Sequence, residues 1–184
     1  TELTDAGPAP AEAIADEMGA RAAAMIAEAA AISEPGPGVT RLPFTEEHAR
    51  AAALVERWMG AAGLATRRDA AATVIGRREG RGAGTLLLGS HQDSVRAGGA
   101  YDGMMGVILP ILAMEALRGV DLPFAVEVVA FADEEGVRFP TALIGPRAMA
   151  GTIDPSVFDM TDRGGTRLGD ALAGFGGDPS GIGA

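Results

Sequence analysis

The sequence predicts an α/β fold on three observations. Thr85-Leu-Leu-Leu-Gly89 and Phe124 to Ala132 are short apolar runs of the kind buried on both faces of a parallel sheet. A segment of helical length and composition, Met104 to Arg118, lies between them, so strand, helix and strand form a βαβ unit. Strong helix formers precede the unit, which supplies helices for both sides of the sheet.

The first helix is expected from about Pro10 to Ile32, with Ile14, Met18, Ala22, Met25, Ile26 and Ala29 as its apolar stripe. Ser33-Glu-Pro-Gly-Pro-Gly38 ends it. A second helix begins at Thr45, whose hydroxyl caps the next turn while Glu46 and Glu47 sit well against the helix dipole. Leu54, Val55, Trp58 and Met59 form its buried face, and Gly63 stops it. His48, among Glu46, Glu47 and Arg50, reads as a surface residue. Leu64 to Arg68 and Thr73 to Arg77 are strand candidates forming a hairpin or edge pair, with Arg78 to Gly82 as a turn. Beyond Gly136 the pattern shortens to helical pieces around Arg147 to Ala150 and Leu168 to Phe175, and the last nine residues have the composition of a loop in mid-course.

Composition narrows the function. The chain has 184 residues, 47% of them hydrophobic, enough for one domain of ordinary size and too few for two large ones. Against 15 basic residues stand 25 acidic ones, a net charge of -10, which repels nucleic-acid phosphates and anionic lipid heads. With no cysteine, disulfides, zinc-thiolate sites and cysteine nucleophiles are excluded, and any metal site must use His, Asp and Glu. No apolar run reaches the roughly 20 residues of a membrane span and no signal peptide is present, so a cytoplasmic location is expected. Gly76 to Gly80 lacks the P-loop lysine and the dinucleotide glycine spacing.

In open α/β sheets function gathers at the carboxyl ends of strands. There the first apolar run delivers His91 and Asp93, and a glycine-rich loop returns Asp102 to a helix start. The second run delivers Asp133, Glu134 and Glu135. If the two strands are neighbours, one imidazole and up to five carboxylates converge, and their mutual repulsion is most simply relieved by divalent cations. His with carboxylates suits zinc, manganese or cobalt better than calcium. His91 would ligate through a ring nitrogen, with Asp93 accepting the other ring N–H. Asp102 could bridge two ions, and of the paired glutamates one could ligate while the other takes a proton from water. Each cluster alone also has a plainer reading: a strand-end histidine, a tight Asp-Gly turn, a solvated acidic turn.

The stretches Gly-Ser-His-Gln-Asp-Ser-Val95, Gly-Gly-Ala-Tyr-Asp-Gly-Met-Met-Gly-Val107 and Asp-Glu-Glu-Gly-Val-Arg-Phe139 closely resemble a family of zinc-dependent amidohydrolases of the hydantoinase/carbamoylase type. That family includes allantoate amidohydrolase, N-carbamoyl-L-amino-acid hydrolase and β-ureidopropionase. Gly38-Val-Thr-Arg-Leu42 and Asp162-Arg-Gly-Gly-Thr-Arg-Leu168 share the likeness, which runs from about residue 10 to the end. The resemblance implies that His91 ligates one metal, Asp102 bridges two, Glu135 ligates the second, and Glu134 is the catalytic base, with Asp93 beside His91. It also implies a zinc-peptidase-like α/β/α sandwich with a mixed, partly parallel sheet. Residues 1–184 would then be the N-terminal portion of the catalytic domain, without the lid, the homodimer surface and two further ligand histidines. The implied cofactors are two divalent ions, zinc with manganese or cobalt as alternatives, and the implied substrate is a small ureido or carbamoyl carboxylate. Two other readings are an inactive fragment or binding protein, and a peptidase or aminoacylase of the wider dinuclear clan. Ala72-Thr73 and Pro146 depart from the family pattern, which has Gly-Asn and Ser there.

Overall fold

Four strands form one mixed sheet in the order β1 (Ala65–Arg68), β2 (Val74–Arg78), β4 (Ala125–Phe131), β3 (Thr85–His91) in the computed structural model, which describes residues 11–182. β1 and β2 are the expected antiparallel pair, β2 runs antiparallel to β4, and β3 runs parallel to β4 with His91 beside Phe131. Between the parallel strands lies α3 (Met104–Ala116), which makes the βαβ crossover.

On one face, α3 packs with α1 (Ala11–Ala30) and α2 (Glu46–Ala61) over Val74, Val126, Val128 and Ala130. Ala22, Ile26 and Ala29 of the expected α1 stripe are buried there; Pro10 and the side chain of Ile14 lie outside the described residues. Thr45 caps α2 by accepting the His48 N–H, and Gly63 (φ +85) follows the helix. A second apolar cluster joins Phe44, Ala72, Ala132, Phe139 and Ile144 to Phe158, Leu168 and Leu172. It collects α4 (Ile144–Met149) and α5 (Leu168–Gly174). Pro146 is the third residue of α4, where its missing N–H costs no helical bond.

Two expectations are corrected. β3 is an edge strand, not one buried on both faces: it pairs only with β4, and Leu86 and Leu87 are 42% and 50% exposed. The apolar run is strand-forming, but among the described residues no further strand lies beyond it. His48 is not on the surface: it is fully buried, stacked on Phe175 with ring centroids 4.6 Å apart, and its Nδ1 accepts the Phe44 N–H at 2.9 Å. Ala72 has φ +65, a left-handed conformation that favours glycine.

Candidate metal centre

Because β3 and β4 are parallel neighbours, both strand-end loops open at the same edge of the sheet. β3 ends at His91 and β4 feeds Asp133-Glu134-Glu135. The chain then returns through Tyr101-Asp102-Gly103 to the start of α3. Gly103 is required at that point: it has φ +68, and a Cβ there would lie 2.6 Å from both the His91 Cε1 and the His91 carbonyl oxygen. The close approach of this turn to the imidazole is what brings Asp102 to the site.

His91, Glu134 and Glu135 each offer a ligand atom, all within 4.8 Å of one another. Asp102 Oδ1 is 3.5 Å from His91 Nε2, and Glu134 Oε2 is 3.8 Å from the same nitrogen. His91 Nδ1 lies 3.0 Å from the Asp93 carbonyl oxygen, which can only accept, so Nδ1 carries the proton. In the neutral ring the Nε2 lone pair therefore faces two carboxylates, an arrangement that needs a proton or a cation between them. Without a cation the ring takes the proton: burial lowers its pKa, but the Asp93 carboxylate and Glu134 outweigh that and raise it to about 9. Glu135 is raised as well, by burial first and then by Asp102, Asp93 and Glu134. A divalent cation with His and carboxylate donors fits this set.

Asp93 is fully buried and does more than expected of it. Its backbone oxygen, not its carboxylate, is the nearest partner of His91 Nδ1, the carboxylate lying 3.6 Å away. The carboxylate instead accepts the Glu134 N–H at 3.1 Å and the Glu135 N–H at 3.2 Å, tying the two loops together. Asp133 does not join the site. It is fully buried, and its oxygens have no well-formed hydrogen bond, the Gly136 N–H giving only partial compensation. Burial, then repulsion from Asp93, raises its pKa to about 8. Asp133 lies two residues past the end of β4 and its side chain is buried in the fold, whereas Glu134 and Glu135 both reach His91. Sequence reasoning also passed over Arg41, a buried arginine beside the His91 loop; its signal was a single cation inside the apolar stretch Val39 to Phe44.

An N-carbamoyl-L-amino acid amidohydrolase of Geobacillus stearothermophilus is 45% identical over 150 residues, 79% of this chain and 37% of that protein. A hydantoinase/carbamoylase family amidase from Burkholderia ambifaria superposes with a TM-score of 0.80 at 32% identity, over 86% of this chain and 40% of that one. The chain is a homologue of the hydantoinase/carbamoylase amidohydrolases. An allantoate deiminase of Arabidopsis thaliana is 38% identical to this amidohydrolase homologue over 157 residues, 82% of this chain and 30% of the plant protein. The chain thus spans three-tenths to two-fifths of the length of these relatives. No protein-family model matches it. Among the described residues no helix is long and apolar enough to cross a membrane.

Proposed function

We propose that this chain carries the N-terminal part of the catalytic domain of a metal-dependent hydrolase. The bond cleaved is a C–N bond of N-carbamoyl amino acids, allantoate or related ureido acids. His91, Asp102 and Glu135 would hold the cations, with Asp102 shared between them, and zinc suits the donor set, with manganese or cobalt as alternatives. Divalent cations held there supply Lewis acidity toward the substrate carbonyl and make water easier to deprotonate. Glu134 then takes a proton from water as the oxygen attacks the carbonyl carbon. It returns the proton to the leaving nitrogen as the C–N bond breaks. From an N-carbamoyl amino acid the products are the free amine and carbamate, which decays to ammonia and carbon dioxide. Asp93 fixes the His91 tautomer through its carbonyl and holds the Glu134 and Glu135 backbone through its carboxylate.

The observation that carries this reading is the aim of His91 Nε2 at Asp102 and Glu134, with Glu135 adjacent, at the ends of two parallel strands. The relatives' names support the substrate class. The experiment grafts these residues in place of the matching part of the Geobacillus relative. Metal content and ammonia release from N-carbamoyl amino acids and allantoate are then measured beside hydrolysis of N-acyl amino acids. Glu134→Gln should keep the metal and lose about 10²-fold or more in turnover. Near-normal turnover with metal retained removes the role of Glu134, and full activity after chelation refutes the metal scheme.

A further inference from the structure

Arg41 is 2% exposed, and its three side-chain hydrogen bonds all go to main-chain carbonyls. Nε donates to the Gln92 oxygen at 2.7 Å; Nη1 donates to the Ala29 oxygen at 2.9 Å, which also accepts the Ile32 N–H at 3.1 Å, and to the Ile32 oxygen at 3.0 Å, at and just beyond the end of α1. The guanidinium therefore spans the gap between the end of α1 and the peptide joining Gln92 to Asp93. Its main chain reinforces the link. The Arg41 N–H donates to Ser94 Oγ at 2.9 Å, the Ser94 N–H donates back to the Arg41 oxygen at 3.0 Å, and Val39 and Gly98 exchange both backbone bonds. Residues 39–41 thus form a strap along residues 92–98, the loop that leaves His91.

We propose that Arg41 is the positioning residue of the metal centre, holding the Gln92 to Ser94 turn so that Asp93 sets both the His91 ring and the Glu134–Glu135 backbone. The chain of contacts is continuous. Arg41 fixes the Gln92 carbonyl, and the next residue, Asp93, gives its carbonyl to His91 Nδ1 and its carboxylate to the Glu134 and Glu135 N–H groups. A lysine keeps the charge but has no planar fork with which to serve three carbonyls at once. The metal-affinity part of the test rests on the proposed metal centre; the amide-exchange part does not.

The test compares Arg41→Lys, Arg41→Met and Ser94→Ala with a control, Arg78→Met, in the 184-residue chain. Arg78 also donates to helix-end carbonyls, those of Met114 and Leu117, but belongs to β2 away from the His91 loop. Amide exchange at Glu134 and Glu135, the thermal midpoint and Co²⁺ affinity are measured for each. Loss of the strap should speed exchange at both glutamates beyond what the global stability change accounts for. It should also lower Co²⁺ affinity about 10-fold or more. Arg78→Met should reduce stability without either effect. If Arg41→Met does not fold, Arg41→Lys and Ser94→Ala supply the comparison. The proposal is overturned if those variants leave the two amides as protected as global stability dictates. It is equally overturned if they change Co²⁺ affinity no more than Arg78→Met. Absence of Co²⁺ binding in the unmodified chain refutes the metal centre instead, and the amide exchange then decides the role of Arg41.

Discussion

Replacing Gly103 by alanine tests whether the Asp102 turn is held against His91 by close packing. The added Cβ would sit 2.6 Å from the His91 carbonyl oxygen and Cε1 and 2.7 Å from Nδ1, about 0.8 Å short of ordinary contact at 3.4 Å. The carbonyl belongs to the last residue of β3, which is registered against Phe131, so it yields little. The turn or the ring must move instead, and a shift of that size breaks the 3.5 Å relation between His91 Nε2 and Asp102 Oδ1. A side chain at φ +68 adds about 1–2 kcal/mol of backbone strain, and overpacking adds about 1 kcal/mol more. Gly103→Ala should therefore lose about 2–3 kcal/mol, a fall of roughly 5–10 °C in Tm for a chain of this size. Co²⁺ affinity, followed by visible absorption, should drop about 10-fold or more, as when the surroundings of a metal ligand are disturbed. Gly99→Ala is the matched control, since a Cβ there meets nothing within 4 Å. If Gly103→Ala binds Co²⁺ as well as Gly99→Ala does, the packing of this turn on His91 does not shape the site.

Three further outcomes are expected. Burial pulls the His48 pKa down to about 3, with Arg41 and Arg68 opposing its charge and Asp93 favouring it. The folded ring stays neutral where the unfolded one takes a proton, so this contribution is intact above about pH 6.5 and is lost as pH falls toward 3, by up to about 1.4 kcal/mol per pH unit. Urea unfolding between pH 7 and 4 should show a shallower slope for His48→Gln; equal slopes contradict a buried neutral His48. Arg138→Met removes bonds to Asp162 Oδ2 and to the Pro43 and Phe44 carbonyls, from a pair whose side chains are 17% and 13% exposed. Chemical denaturation should show a loss of about 3 kcal/mol, whereas less than about 1 kcal/mol would place the pair with ordinary surface ion pairs. Leu87→Glu on the bare edge of β3 should leave stability within about 0.5 kcal/mol and weaken any concentration-dependent association in sedimentation; a large stability loss would mean that Leu87 packs against the fold.

The local elements were legible because their signals are local. Thr45 caps α2, periodicity marks the buried faces of α1 and α2, and the strand candidates β1 and β2 form the expected antiparallel pair, joined by a turn at Asp69 to Thr73. His91 and the paired glutamates were legible through the strand-end rule, which needed only the adjacency of β3 and β4. What the sequence concealed depends on distant neighbours. The charges around His48 describe its own helix turn, whereas its burial comes from Phe175 on a segment far along the chain. Thr85 to Gly89 shows a strand fit for burial, but not whether another strand lies beside it. Asp133 and Glu134 are adjacent in sequence, yet one is fully buried and the other lies beside His91, which composition cannot express.

Ligand arithmetic relates the site to the share of its relatives that this chain spans. Catalytic zinc is commonly held by three protein ligands and one open position. On the proposed assignment, with Asp102 counted for both ions, His91 and Asp102 serve one cation while Glu135 and Asp102 serve the other. Each ion is then one side chain short, so the isolated chain should bind Co²⁺ more weakly than a three-ligand site does. The exposed pairing edge of β3 lies beside His91, so a strand added there in parallel would end next to the imidazole. Such a strand would also cover Leu86 and Leu87, which are 42% and 50% exposed on that edge.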